Sequence, residues 1–191
     1  MIELGIGLIL LLFVGLVVVL AGWAIVTYNA LVGLRNQLEN AWAQIDVQLK
    51  RRYDLIPNLV EAVKDYMQFE QEVLTKVTEA RAQATSATGP AEQARAENVL
   101  TGALRQLFAV VENYPELKAN ENVLRLQDEL TGTEDRIAST REFYNESVRV
   151  FNTRIQTFPT NLIAGLLGFR AREFFATGDD AEREPVKVDL R

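Results

Sequence analysis

The chain has 191 residues, 48% of them hydrophobic, a formal net charge of −6, and neither cysteine nor histidine. Those absences remove disulfides, thiol nucleophiles, the commonest general base and the commonest metal ligand. The acidic balance argues against a nucleic-acid partner, which needs a basic face.

Leu4 through Val26 is an unbroken run of apolar residues and glycine, lying between Glu3 and the next charge, Arg35. At about 1.5 Å per residue it makes a helix of ~34 Å, slightly longer than a hydrocarbon core of ~30 Å. A helix satisfies its own backbone hydrogen bonds in lipid. Trp23 and Tyr28 fall at its far end, where amphipathic rings favour the headgroup level. A cleaved signal peptide needs a basic leader, a shorter apolar core and a small-x-small site. Glu3 and Ala21-Gly22-Trp23-Ala24 fit that pattern poorly. Residues 1–28 therefore read as a retained transmembrane anchor, with the lipid bilayer as a partner. Arg35 and Lys50-Arg51-Arg52 follow the anchor while no Lys or Arg precedes it. That bias predicts an N-terminus outside the cell membrane and a cytoplasmic C-terminal domain. Gly5, Gly7, Gly15 and Gly22 permit close helix approach and a homo-oligomer, although no Gly-x-x-x-Gly spacing occurs.

Beyond the anchor, residues 29–158 carry helical periodicity. Leu31, Leu34, Leu38, Ala41, Ile45 and Leu49 recur at intervals of three and four, which predicts a helix continuing to about Leu55. Pro57 removes a backbone donor and disfavours helical geometry at Ile56, so the expectation is a turn within Tyr53–Asn58. A second helix then runs to about Ala84, with Leu59, Val63, Tyr66, Val73, Val77 and Ala80 inward. The stretch from Ala84 to Pro90 lacks periodicity and reads as a loop. Pro90 opens a third helix, capped by Gly89 or Thr88 and favoured by Glu92 at its positive end. Its inward side carries Val99, Leu100, Ala103, Leu104, Leu107 and Val110, and it stops near Asn113-Tyr114-Pro115. A fourth seam runs through Val123, Leu126, Leu130, Thr133, Ile137, Thr140, Tyr144, Val148, Phe151, Ile155 and Phe158 before Pro159 closes it. Seams of that length suit bundle or coiled-coil packing. The fold class expected is all-α: an N-terminal transmembrane helix followed by an antiparallel four-helix bundle.

If the first helix leaves the membrane and each successor reverses, the fourth returns to it. Residues 159–177 are apolar but too short to span. They either pack on the open end of the bundle or lie at the membrane interface, an oligomer contact being a third option. Phe169, Phe174 and Phe175 are the interfacial aromatics in the second reading, and Arg170 and Arg172 would meet anionic headgroups. Residues 178–191 are acidic and patternless, and are expected to be disordered.

Lys50, Arg51, Arg52 and Asp54 form a local charged spot on an acidic domain, at the expected distal tip. They are candidates for binding a membrane protein partner, with a merely solvated turn as the alternative. Trp42 reads as core rather than binding surface. Asn29, Asn145 and Asn152 each follow an aromatic ring, the last two a heptad apart. They either bond nearby backbone or fix helix register, as a seam asparagine does. Catalysis is disfavoured. A di-iron bundle needs histidine, no Gly-x-Ser-x-Gly or Ser-x-x-Lys motif appears, and no glycine-rich phosphate loop occurs. Glu61, Asp65, Glu129, Glu134 and Asp135 read as a solvated face rather than an all-carboxylate metal site. No cofactor is expected.

Several of these strings occur together and in order. They include Tyr28-Asn29, Ala41-Trp42, Gln44 to Arg52, Asp54 to Val60, Asn113 to Asn120, Leu126-Gln127, Thr133-Glu134, Arg136-Ile137, Arg141, Tyr144-Asn145, Phe151-Asn152 and Phe158-Pro159. Across roughly residues 28–175 the chain resembles the LemA family of bacterial membrane proteins. The resemblance implies an N-terminal anchor carrying a four-helix domain. It brings no catalytic residue set, and it implies membrane-linked partners, including membrane zinc proteases encoded nearby. The function expected is a non-enzymatic, membrane-anchored scaffold or adaptor that raises the effective concentration of membrane partners. The alternative is a regulatory or substrate-presenting factor for a membrane enzyme such as a zinc protease.

Overall fold

A computed structural model describes residues 2–175, with side chains from residue 6 onward except Leu8. The expected acidic tail, residues 178–191, lies outside the described residues. Those residues form six α-helices: α1 Ile2–Val63, α2 Gln71–Ser86, α3 Pro90–Val111, α4 Pro115–Lys118, α5 Glu121–Gln156 and α6 Thr160–Leu166. The described residues are all-α, as the periodicity predicts. Two of the helices, α4 and α6, are short pieces that the apolar spacing did not announce.

The principal departure is at Pro57. The expected turn within Tyr53–Asn58 is absent, and α1 runs through the proline to Val63. Proline lacks the N–H that would bond the carbonyl four residues back, and an orphaned carbonyl is costly if buried. That carbonyl belongs to Tyr53, and it accepts a 2.7 Å bond from Arg81 Nε of α2. A donor 28 residues away thus replaces the missing ladder bond. The reversal falls instead in residues 64–70, where Tyr66, expected inward, is 41% exposed. The inward face of α1 reads Leu31, Leu38, Ala41, Ile45, Leu49, Arg52, Ile56, Leu59 and Val63, all buried.

Helix boundaries elsewhere follow local chemistry. At the start of α3, Gly89 takes φ of +81°, a conformation that side chains with a Cβ disfavour. The Thr88 N–H and hydroxyl donate to the Glu92 carboxylate at 3.1 and 3.0 Å, and these bonds hold Glu92 below the ordinary carboxylate range. Asn120 caps α5, its Oδ1 accepting from the N–H groups of Asn122 and Val123. The α5 seam is buried at Val123, Leu130, Thr133, Ile137, Tyr144, Val148, Phe151 and Ile155, whereas Phe158 is 75% exposed. The Phe158–Pro159 peptide is cis. After α6, Gly168 at φ of +73° turns the chain into an extended stretch reaching Phe175.

The chain divides into two compact units. One comprises Met1–Asn40 with Glu146–Arg172, the other Ala41–Asn145 with Glu173–Arg191. In the first unit, the described large apolar side chains of the N-terminal run are exposed, Phe13 at 63% and Val19 at 67%. Among the described residues α1 is the helix long and apolar enough to cross a membrane. In the second unit, α2 packs on α3. One core cluster draws Ile56, Leu59 and Val63 from α1, Val77 from α2, Leu100 and Leu107 from α3, Leu117 from α4 and Leu130 from α5.

Candidate functional site

The second unit is organised around Arg52. Its position three residues after Leu49 and four before Ile56 places it on the buried seam of α1, and its side chain is 2% exposed. One terminal nitrogen donates to Glu97 Oε2 at 2.8 Å. The other donates to Thr101 Oγ1 at 2.8 Å and pairs with Glu134 Oε2 at 2.9 Å. Arg52 therefore ties α1 to α3 and α5. Glu97 is fully buried, and its other oxygen accepts from the Tyr53 hydroxyl and from Gln93 Nε2. Gln93 Nε2 also reaches the Tyr53 hydroxyl at 2.8 Å and the Ala84 carbonyl at 3.0 Å. Burial, reinforced by the adjoining Glu97 carboxylate, pushes the Tyr53 hydroxyl far above the ordinary phenol range. Tyr53 acts here as a neutral donor, not as a base.

Arg141 lies within electrostatic reach of this cluster. Burial lowers its pKa, while Glu134 and Glu97 oppose that shift. Its guanidinium sits 4.6 Å from the centre of the Phe175 ring. Phe175 also packs against Trp42, and Trp42 meets Tyr144 edge-on at 5.3 Å. Trp42 is thus half-buried within an aromatic cluster, in line with its reading as core. Asn145 clamps the same segment, accepting from the Phe175 N–H at 2.8 Å and donating to its carbonyl at 3.1 Å.

These positions correct three expectations. Arg52 is not a surface residue open to a partner, because two carboxylates neutralise it inside the fold. Lys50, Arg51 and Asp54 are exposed, but α1 continues well past them, so they do not form a tip. Phe175 is fully buried, not lipid-facing, because its ring completes the Trp42 cluster. The residues missed were Gln93, Glu97 and Thr101, and Glu134, on a partly exposed face, pairs with Arg52. A signal existed: Arg52 and Glu97 fall on apolar seams, and opposite charges at seam positions mark a buried pair.

A pocket of about 160 Å³ is lined by Arg52, Thr101 and Glu134 together with Leu104, Phe108 and Leu130. It is smaller than the ~300–1,000 Å³ usual for ligand sites. Among the described residues no group of three His, Cys, Asp or Glu could hold a metal. Of the proposed carboxylates, Glu134 pairs with Arg52, Glu129 with Arg51 at 3.7 Å, and Glu61 with Lys64 at 2.5 Å. The cluster is built for cohesion, with Arg52 met by Glu97 and Glu134.

The first unit presents a different arrangement. Trp23 is half-buried and Tyr28 exposed, and the Tyr28 ring meets Phe169 edge-on at 6.1 Å. Phe169 also packs on Phe151 and lies 5.9 Å from the Arg35 guanidinium. Asn152 holds the extended segment, accepting from the Arg172 N–H at 2.8 Å and donating to its carbonyl at 2.9 Å. Both asparagines therefore fix backbone register within the chain. Arg170, Arg172 and Phe174 are exposed. Arg35, Arg170 and Arg172 line a pocket of about 380 Å³ with Phe151, Phe169 and Gly168.

Comparison with known proteins agrees with the sequence strings. The family model described as the LemA family matches residues 41–190. Protein LemA of Metamycoplasma hominis is 32% identical over 165 residues, covering 84% of this chain and 73% of that protein. Magnetosome protein MamQ 2 of Paramagnetospirillum magneticum and magnetosome protein MamQ of Magnetospirillum gryphiswaldense are each 26% identical over 174 residues, or 78% of this chain. The chain spans 64% of the length of each MamQ protein. By the extent of the family match and the identity to LemA, the chain belongs to the LemA family.

Proposed function

We propose that this protein is a non-enzymatic, single-pass membrane scaffold or adaptor. Its N-terminus lies outside, and a cytoplasmic antiparallel four-helix bundle is built from α1, α2, α3 and α5. The observation that carries this reading is the single helix α1, which begins in an exposed apolar run and ends in a buried core. Exposed apolar surface of that extent is unstable in water and suits hydrocarbon. An anchor in lipid confines the domain to the plane of the membrane and raises its effective concentration for partners there. The shared core of the second unit supports the bundle. The names LemA and MamQ denote no enzymatic activity, and the buried polar cluster is committed to ion pairs rather than to substrate.

Cross-linking in intact membranes, followed by mass spectrometry of everything attached to the chain, tests this. A scaffold predicts links between copies that one bundle cannot make, or links to several membrane proteins. Links to a single membrane enzyme at fixed stoichiometry would replace it with a regulatory or substrate-presenting role. An absence of intermolecular links would overturn both.

A further inference from the structure

The arginine-lined pocket of the first unit is not explained by cohesion. Buried Arg52 is neutralised by Glu97 and Glu134, whereas Arg35, Arg170 and Arg172 all line one pocket of about 380 Å³. The acidic group beside it is Glu39, whose Oε1 stands 3.9 Å from Arg35 Nε, both side chains more than 40% exposed. A contact so long and wet is weak. The pocket is nonetheless built. Gly168 at φ of +73° makes the turn that starts the segment. Asn152 holds the Arg172 backbone through two hydrogen bonds, and Phe169 is fixed among Tyr28, Phe151 and Arg35. The arginine-bearing stretch is therefore pinned against α1 and α5 and is not a loose tail.

Its position along α1 narrows the ligand. Tyr28, which touches Phe169, lies two residues beyond the apolar run. Arg35 lies nine residues beyond Val26, or ~13 Å along the helix axis, within a long side chain's reach of the headgroup layer. Planar guanidiniums bind phosphate oxygens in pairs, and the polar boundary of a bilayer is rich in phosphate.

We propose that Arg35, Arg170 and Arg172 form a binding site for a phosphate-bearing anion, filled in the membrane by the headgroup of an anionic phospholipid. The site makes the base of the domain a reader of lipid charge, so that the scaffold prefers anionic regions of the bilayer. It rests on the reading of α1 as a membrane anchor.

The test is native mass spectrometry of the full chain in mild detergent. The chain is titrated separately with dioleoylphosphatidylglycerol, dioleoylphosphatidylcholine and inorganic phosphate. The expected result is binding of the glycerol lipid at least about tenfold tighter than the choline lipid, a ratio that falls to within about twofold in R170Q/R172Q. R170K/R172K, which keeps the charge but loses the paired geometry, should fall between, and circular dichroism checks that each variant remains helical. Equal binding of the two lipids, or an undiminished preference in a helical R35Q/R170Q/R172Q chain, would overturn the proposal. Inorganic phosphate that binds as tightly as the glycerol lipid and displaces it would uphold the anion site but overturn the lipid assignment. Failure of the anchor itself reads out separately, as release of the chain from membranes with the lipid preference intact.

Discussion

Single residues decide the local course of this chain, and Pro57 with Arg81 is the clearest case. A proline inside a helix removes the bond to Tyr53 O, and Arg81 Nε supplies it from α2 at 2.7 Å. Hydrogen bonds from charged donors contribute about 1.5–3 kcal/mol. R81M should therefore destabilise the domain by about 1–2 kcal/mol. In a P57A background the helix regains its own donor for Tyr53 O, so the same R81M change should have a much smaller effect. Chemical denaturation of the four proteins, followed by helical circular dichroism, measures the difference. Equal losses in both backgrounds would show that Arg81 contributes through something other than that carbonyl. The proline rule applied to Pro57 describes a helix alone, and no local pattern announces a rescuing donor 28 residues downstream.

Between elements, cohesion comes from apolar seams and from one polar knot. The seams were legible, because spacing of three and four residues needs no tertiary knowledge. The start of α3 at Pro90 and the course of α5 follow from it directly. The knot was not, because charge in a sequence reads by default as solvent exposure, and Arg52 adjoins two other basic residues. Phe175 was misplaced for a related reason: an aromatic ring that completes a core and one that meets lipid give the same signal. Asn145 clamps the backbone of Phe175 and Asn152 that of Arg172, each through two hydrogen bonds. Breaking a buried ion pair at one partner costs about 3–5 kcal/mol, whereas replacing both partners is far milder. R52L should sit in that range because it strands the fully buried Glu97. E97L should be less severe, since Arg52 keeps Glu134. The double variant R52L/E97L should be well short of the sum in thermal or chemical denaturation, and strict additivity would mean that the pair is not coupled.

At the scale of the molecule, the long helix α1 links two environments of opposite demand. Its first part exposes apolar side chains in a run that suits hydrocarbon, and its last part contributes Ile56, Leu59 and Val63 to a packed core. Anchoring of the domain by that first part is tested by alkaline carbonate extraction of membranes. Carbonate strips proteins held by surface charge and leaves those held by a spanning helix. The full chain should stay with the membrane pellet, and a version lacking residues 1–28 should be released as a helical protein. Release of the full chain, or retention of the shortened one, would mean that residues 1–28 are not the anchor.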